Sequence, residues 1–190
     1  LKHQLNQVRI IAGKWRGRRV SFPNVAGLRP TPDRVRETLF NWLSHAIVDA
    51  HCLDLFAGSG ILSLEALSRG AASVVSVEKN TKAISAINES AQLLGIESDQ
   101  LSVVLADAVS WLQQKSTIPF DVVFLDPPYS LDLLPTCIKH LSENGWLKAE
   151  SWVYFEHNQS LEEKLLPVDW QVIKSKRAGH VYYYLVQICL

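Results

Sequence analysis

The sequence predicts an α/β protein: a mostly parallel, seven-stranded sheet with helices on both faces, a C-terminal antiparallel strand pair, and an N-terminal β-hairpin and helix. Three observations predict it. From Cys52 onward, short apolar runs alternate four times with amphipathic segments of helical spacing, and strand–helix repetition of this kind implies parallel pairing through right-handed crossovers. The last third holds two β-rich runs joined at Arg177-Ala178-Gly179, which implies an antiparallel pair. A length of 190 residues, 47% hydrophobic and 20% charged, suffices for one generous domain with its own core.

The elements follow along the chain. Val8 to Ile11 and Arg18 to Phe22 read as short strands, and the GKWRG between them puts glycine where the chain must bend. After a loop ending in Leu28-Arg29-Pro30, Thr31 is the expected N-cap of a helix with Pro32 at its first position. Val35, Leu39, Trp42, Leu43 and Ala46 form its apolar stripe, while Arg34, Glu37 and Asn41 fall on another face. Strands CLDLF, SVVSVE, LSVVL and DVVFLD then lead into helices ILSLEALSRG, NTKAISAINESAQLLG, DAVSWLQQ and LDLLPTCIKHL. Gly70 and Gly95 stand just past helix ends, where a left-handed residue is favoured. SWVYFE, a short helix near Leu161 to Leu165, WQVIKSK and HVYYYLVQI complete the chain. No internal repeat, low-complexity segment or long linker appears, so residues 1–50 are expected as a basic extension on a main domain of residues 51–190.

The net charge of zero conceals a division. Residues 1–36 carry nine basic side chains against Asp33 alone, net +8, and the remainder carries 10 basic and 18 acidic groups, net −8. Such segregation fits a basic arm offered to a polyanion, with a merely solvated hairpin as the alternative. No apolar stretch approaches the roughly 18 residues that span a bilayer, and LKHQLNQVRI lacks the hydrophobic block of a secretory signal. Cys52, Cys137 and Cys189 are far apart and form no CxxC pair, so they suit neither a disulfide framework nor a zinc site. A cytoplasmic protein without membrane or metal is expected.

The chemistry gathers at strand ends. Asp54 lies within the first buried strand, and the sequence Phe56-Ala57-Gly58-Ser59-Gly60 opens the helix after it. Glycine there lets a ligand approach the backbone, and the helix start offers free N–H groups. Ser63 stands where a dinucleotide fingerprint would want Gly or Ala, which disfavours a dinucleotide oxidoreductase. Glu78 ends the second strand 18 residues beyond Gly60, near the offset at which a carboxylate accepts hydrogen bonds from a ribose diol. Asp107 and Asp126 end the third and fourth strands, and ligands of open parallel sheets bind at those ends. In Asp126-Pro127-Pro128-Tyr129 the prolines could simply stop a strand. They also lack N–H groups, so the loop offers carbonyls and a carboxylate without competing donors, a wall suited to an exocyclic amine. Tyr129 can stack on the base that carries it.

These residues resemble class I S-adenosylmethionine-dependent methyltransferases of the amino-group type. DLFAGSG resembles their cofactor loop, Glu78 with the adjacent Lys79 their ribose-binding acid, Asp107-Ala108 their adenine contact, and DPPY their acceptor motif. The N-terminal segments VRIIAGKWRGR and LRPTPDRVRETLFNWL are similar to the bacterial 16S rRNA (guanine-N2) methyltransferase family of the small ribosomal subunit, so the resemblance runs nearly end to end. It implies S-adenosylmethionine as cofactor and methyl transfer to the N2 amine of a guanine. Asp126 and the Pro127 carbonyl would accept the two amine hydrogens there, with no covalent step. The target must be unstacked to enter. Arg16, Arg18, Arg19, Arg29, Arg34 and Arg36 are expected to grip phosphates of 16S rRNA, in the small subunit or an assembly intermediate, with the enzyme acting as a monomer. Trp15 and Trp42 suit core packing as readily as RNA stacking, with core favoured for Trp42. The competing readings are a DNA adenine-N6 methyltransferase and a non-catalytic RNA-binding assembly factor.

Overall fold

The computed structural model describes residues 6–25, 28, 30–128, 132–161 and 165–189; Arg29, Tyr129 and the centre of the helix expected near 161–165 lie outside them. Strands β1 (Asn6–Arg9) and β2 (Arg19–Phe22) form the expected antiparallel hairpin, with Val8 opposite Val20. Helix α1 (Asp33–Trp42) follows. Then come β3 (His51–Asp54), α2 (Ile61–Ser68), β4 (Ser73–Glu78), α3 (Thr81–Leu94), β5 (Leu101–Leu105), α4 (Ala108–Leu112), β6 (Phe120–Leu125), α5 (Leu134–Glu143), β7 (Leu147–His157), β8 (Trp170–Ala178) and β9 (Val181–Ile188). The last seven strands form one sheet in the order β5-β4-β3-β6-β7-β9-β8, parallel from β5 through β7 and antiparallel at β9 and β8.

Alternation along the central strands divides the core into two layers. Cys52, Val122 and Phe124 face a cluster with α1, α2, α3 and the hairpin, whereas Leu53, Val123 and Leu125 face one with α4 and α5. Gly95 caps α3 in the left-handed conformation, as its place after the apolar stripe predicts. Helix α1 departs from expectation at both ends. Pro32 occupies the capping position and no side chain caps it; Thr31 is buried instead, and its carbonyl accepts Arg36 Nε at 3.0 Å. The helix stops at Trp42, and Ala46 and Ile47 donate to Leu43 O in tight turns that still bury Leu43 and Ile47 on the way to β3. Trp15 is core, and Trp42 is half-buried, its ring 5.5 Å from that of Tyr183.

Helix α2 is buried at every position, including Ser63, Glu65 and Ser68, because the hairpin covers the face an amphipathic helix would turn to water. Glu65 accepts Ile11 N at 2.8 Å, Ala12 N at 3.0 Å, Arg36 Nη1 at 3.2 Å and Arg69 Nε at 2.8 Å. At the far end of α2, Ser68 O accepts Lys14 N at 2.7 Å, and Ser68 Oγ accepts Trp15 N and donates to Ala12 O. Gly13 makes this approach possible: its φ is +80°, and a Cβ there would lie 1.8 Å from Ser68 O. Arg36 therefore cannot grip RNA as expected. It is wholly buried, and its guanidinium is occupied by Thr31 O, Arg9 O, Glu65 and Asp33. The i, i+3 spacing from Asp33 and the i, i+4 spacing of Glu65 to Arg69 were visible in the sequence, but the pairing across α1 and α2 is tertiary. Among the described residues, no helix is long and apolar enough to cross a membrane.

Candidate active site

From β3 the chain proceeds to β4 and β5 on one side and later to β6 and β7 on the other, so strand order reverses between β3 and β6. Ligands of open α/β sheets bind in the crevice that such a reversal opens beyond the carboxyl ends of the strands.

On the β4 side of the crevice the glycine loop is pinned by its own backbone: Ala57 N donates to Val77 O at 3.1 Å and Gly60 N to Ala57 O at 2.7 Å. Gly60 is required twice over, by a φ of +73° and by Ile87, whose Cγ1 would lie 2.7 Å from an added Cβ. Glu78 sits at the end of β4 with Gly58 N donating to Oε2 and Asn80 N to Oε1, each at 2.8 Å. Its carboxylate is thus oriented while keeping acceptor capacity, the arrangement a vicinal diol needs. Asn80 caps α3 by accepting Lys82 N and Ala83 N, and exposed Lys79 joins Asn24, Val25 and Thr81 around a hollow of about 410 Å³ beside Glu78. Phe56 is half-buried. Asp107 is exposed and caps α4 through Ser110 N at 3.0 Å, with Ala108 buried behind it.

Asp54 is placed differently from the other strand-end acids. It is 3% exposed beneath the glycine loop, and it accepts Ser63 Oγ at 2.7 Å, which in turn lies 2.7 Å from Ser76 Oγ. Burial, with added repulsion from Glu78, raises its pKa to about 6 in spite of the Ser63 hydrogen bond. Sequence reasoning treated Ser63 only as a departure from the dinucleotide fingerprint. Its signal was a hydroxyl in an apolar helix start, where a buried acid needs a donor.

On the β6 side, Asp126 is half-buried and its pKa is raised well above the usual carboxylate range by burial, then by the negative charges of Glu156 and Asp54. Pro127 is buried and Pro128 exposed, and both line a cavity of about 270 Å³ together with Asp132, Leu133, Leu134 and the chain that runs from Glu156 at the end of β7 to Gln159 beyond it. Glu156 was missed by the sequence reading, although it closes an apolar strand just as Glu78 and Asp126 do. Of the expected arginines, Arg16, Arg18, Arg19 and Arg34 are exposed. The hairpin tip meets α2 at Ser68, the end remote from the crevice, whereas Arg34 lies in the first turn of α1. Leu28 Cγ lies 3.8 Å from the Cβ position of Gly58, so this side chain packs against the glycine loop. No group of three or more metal-ligating side chains occurs among the described residues.

The sheet order, with a glycine loop after β3 and acids ending β4 and β6 on either side of the reversal, is that of class I methyltransferases, enzymes whose methyl donor is S-adenosylmethionine. The chain belongs to the family described as Conserved hypothetical protein 95, which matches residues 8–187. It is 46% identical over 181 residues to ribosomal RNA small subunit methyltransferase D of Escherichia coli strain K12, covering 95% of this chain and 90% of that one. The Haemophilus influenzae protein of the same name is 44% identical over 182 residues, covering 95% and 94%. The solved structure of yhhF from Escherichia coli superposes with a TM-score of 0.86 at 45% identity, covering 96% of this chain and 98% of that one.

Proposed function

We propose that this protein methylates the exocyclic N2 amine of a guanine in 16S rRNA, with residues 1–50 serving as an RNA-gripping extension on the methyltransferase domain of residues 51–190. The observation that carries the reading is the donor-free edge from Asp126 to Pro128 at the end of β6, across the strand-order reversal from the glycine loop and Glu78. The relatives named as small-subunit rRNA methyltransferases support rRNA as the substrate class.

S-adenosylmethionine, when bound, supplies a methyl group on a positively charged sulfur. Glu78, with Lys79 beside it, would hold the ribose hydroxyls, the Phe56-Ala57-Gly58 loop and Gly60 would accept close approach of the ligand, and Asp107 with Ala108 would border the adenine end. Asp54 supports the loop from beneath through Ser63. The guanine amine is a poor nucleophile because its lone pair is delocalised into the ring. Asp126 and the Pro127 carbonyl would accept its two hydrogens, turn the lone pair toward the methyl and stabilise the positive charge on nitrogen. As the N–C bond forms, the C–S bond breaks to leave a neutral thioether, and the nitrogen's surplus proton passes to the Asp126 carboxylate. Pro128 shapes the loop, and Tyr129 stacks on the flipped base. Exposed Arg16, Arg18, Arg19 and Arg34, with Arg29, hold phosphates, so affinity falls with salt. The enzyme works as a cytoplasmic monomer on the small subunit or its assembly intermediate.

The test is to incubate the protein and labelled cofactor with small subunits lacking this modification, digest the RNA and map the label. Label in N2-methylguanosine of 16S rRNA is expected. Label on adenine, label in DNA, or no label at all would overturn the reading.

A further inference from the structure

An amine-accepting loop by itself does not distinguish bases, because adenine and guanine both carry an exocyclic NH2. They differ in the neighbouring ring atom. Guanine presents N1–H beside its N2 amine, a run of donors, whereas adenine N1 is an acceptor beside its N6 amine. A site that selects guanine therefore needs a second acceptor next to the one that holds the amine.

The sheet supplies one. Leu125 of β6 pairs with Phe155 of β7, so Asp126, just past the end of β6, and Glu156, near the end of β7, stand side by side, their backbones about 4.8 Å apart. Glu156 is 7% exposed, and Tyr154 Oη donates to its Oε1 at 2.7 Å, which fixes the carboxylate's orientation. The cavity of about 270 Å³ has Pro127 and Pro128 on one wall and Glu156 on another. That is just below the roughly 300–1,000 Å³ of drug-sized pockets, a scale suited to one base and not to a length of chain.

We propose that Glu156 reads the Watson–Crick edge of the target base, accepting N1–H of guanine while Asp126 and the Pro127 carbonyl hold the N2 amine. An adenine in the same pose would set its N1 lone pair against the carboxylate, and two acceptors with no proton between them reject a base more strongly than a missing methyl does. The inference rests on the guanine-N2 reading and deepens it.

The discriminating substrate is 2-aminopurine, which keeps the 2-amine but has an unprotonated N1. Small subunits reconstituted with 16S rRNA carrying guanine or 2-aminopurine at the methylated position are compared by kcat/KM for label transfer. The wild-type enzyme should favour guanine by roughly ten- to a hundredfold, the discrimination typical of a good polar pairing to a base edge. Glu156→Gln, whose amide can donate to an unprotonated N1, should bring the ratio close to one or invert it. Equal wild-type rates on the two bases would overturn the proposal without any variant. So would Glu156→Gln losing activity equally on both, the signature of a structural role. Should the wild-type enzyme fail to methylate guanine at all, the parent reading falls instead. Tyr154→Phe removes the hydroxyl that donates to the carboxylate while sparing the packing, and should relax the ratio partway.

Discussion

Glu65 on α2 is wholly buried and Asp126 at the end of β6 half-buried, and the two acids keep opposite company. Glu65 receives Arg36, Arg69 and two backbone N–H groups, and Asp33 on the same network is drawn below its ordinary pKa: burial would raise it, but the Arg9 hydrogen bond and the Arg36 charge outweigh that. Asp126 instead faces Glu156 and Asp54, and its pKa rises. Buried charge that is compensated on every side locks one element to another; buried charge left among like charges remains available to a ligand that brings donors. The first region anchors the extension to the domain, and the second is where chemistry is assigned.

The contrast can be broken experimentally. Asp126→Ala should carry the largest effect, a loss of transfer on the order of 10³-fold with calorimetric cofactor affinity retained. Near-normal turnover would remove Asp126 from the reaction. Arg36→Ala should destabilise the fold by about 3–5 kcal/mol in denaturant unfolding, because it leaves buried Glu65 with Arg69 as its remaining cation and strips the Thr31 and Arg9 carbonyls of their donor. The exposed Arg34→Ala should change stability by less than about 0.5 kcal/mol. If the two variants unfold alike, the clasp is not what anchors the extension.

Asp54 sharpens the comparison through pH. Its folded pKa of about 6 exceeds the ordinary 3.8, so its contribution to stability is complete below pH 3.8 and is lost as pH rises through 6. In the cofactor-free protein, Asp54→Asn should therefore be more stable than wild type by roughly 2–3 kcal/mol above pH 7. Thermal melting should show that gap closing toward pH 4, and a gap independent of pH would mean that Asp54 is not held in a repulsive site. The smallest effects belong to the arm. Each of Arg16→Ala, Arg18→Ala, Arg19→Ala and Arg34→Ala should reduce the log–log salt slope of RNA binding by about 0.7 with melting temperature unchanged. An unaltered slope would free that residue from any phosphate.

The alternation of strands and helices, the glycine loop and the acids at Glu78, Asp107 and Asp126 were legible from the sequence because each is a local pattern: period-2 runs, helical stripes, a turn that needs glycine, a charge where an apolar run stops. The sequence therefore determined the sheet, its glycine loop and the acids at the strand ends. What it could not decide was which charges meet. Arg36 reads as one more exposed cation in a basic run until Glu65, 29 residues away, is folded against it. Glu156 reads as a strand end until β7 is laid beside β6, 30 residues earlier. Side-chain patterning reports which face of an element is buried, but the partner across that face is chosen by the packing of elements distant in the chain, and only the tertiary structure makes that choice.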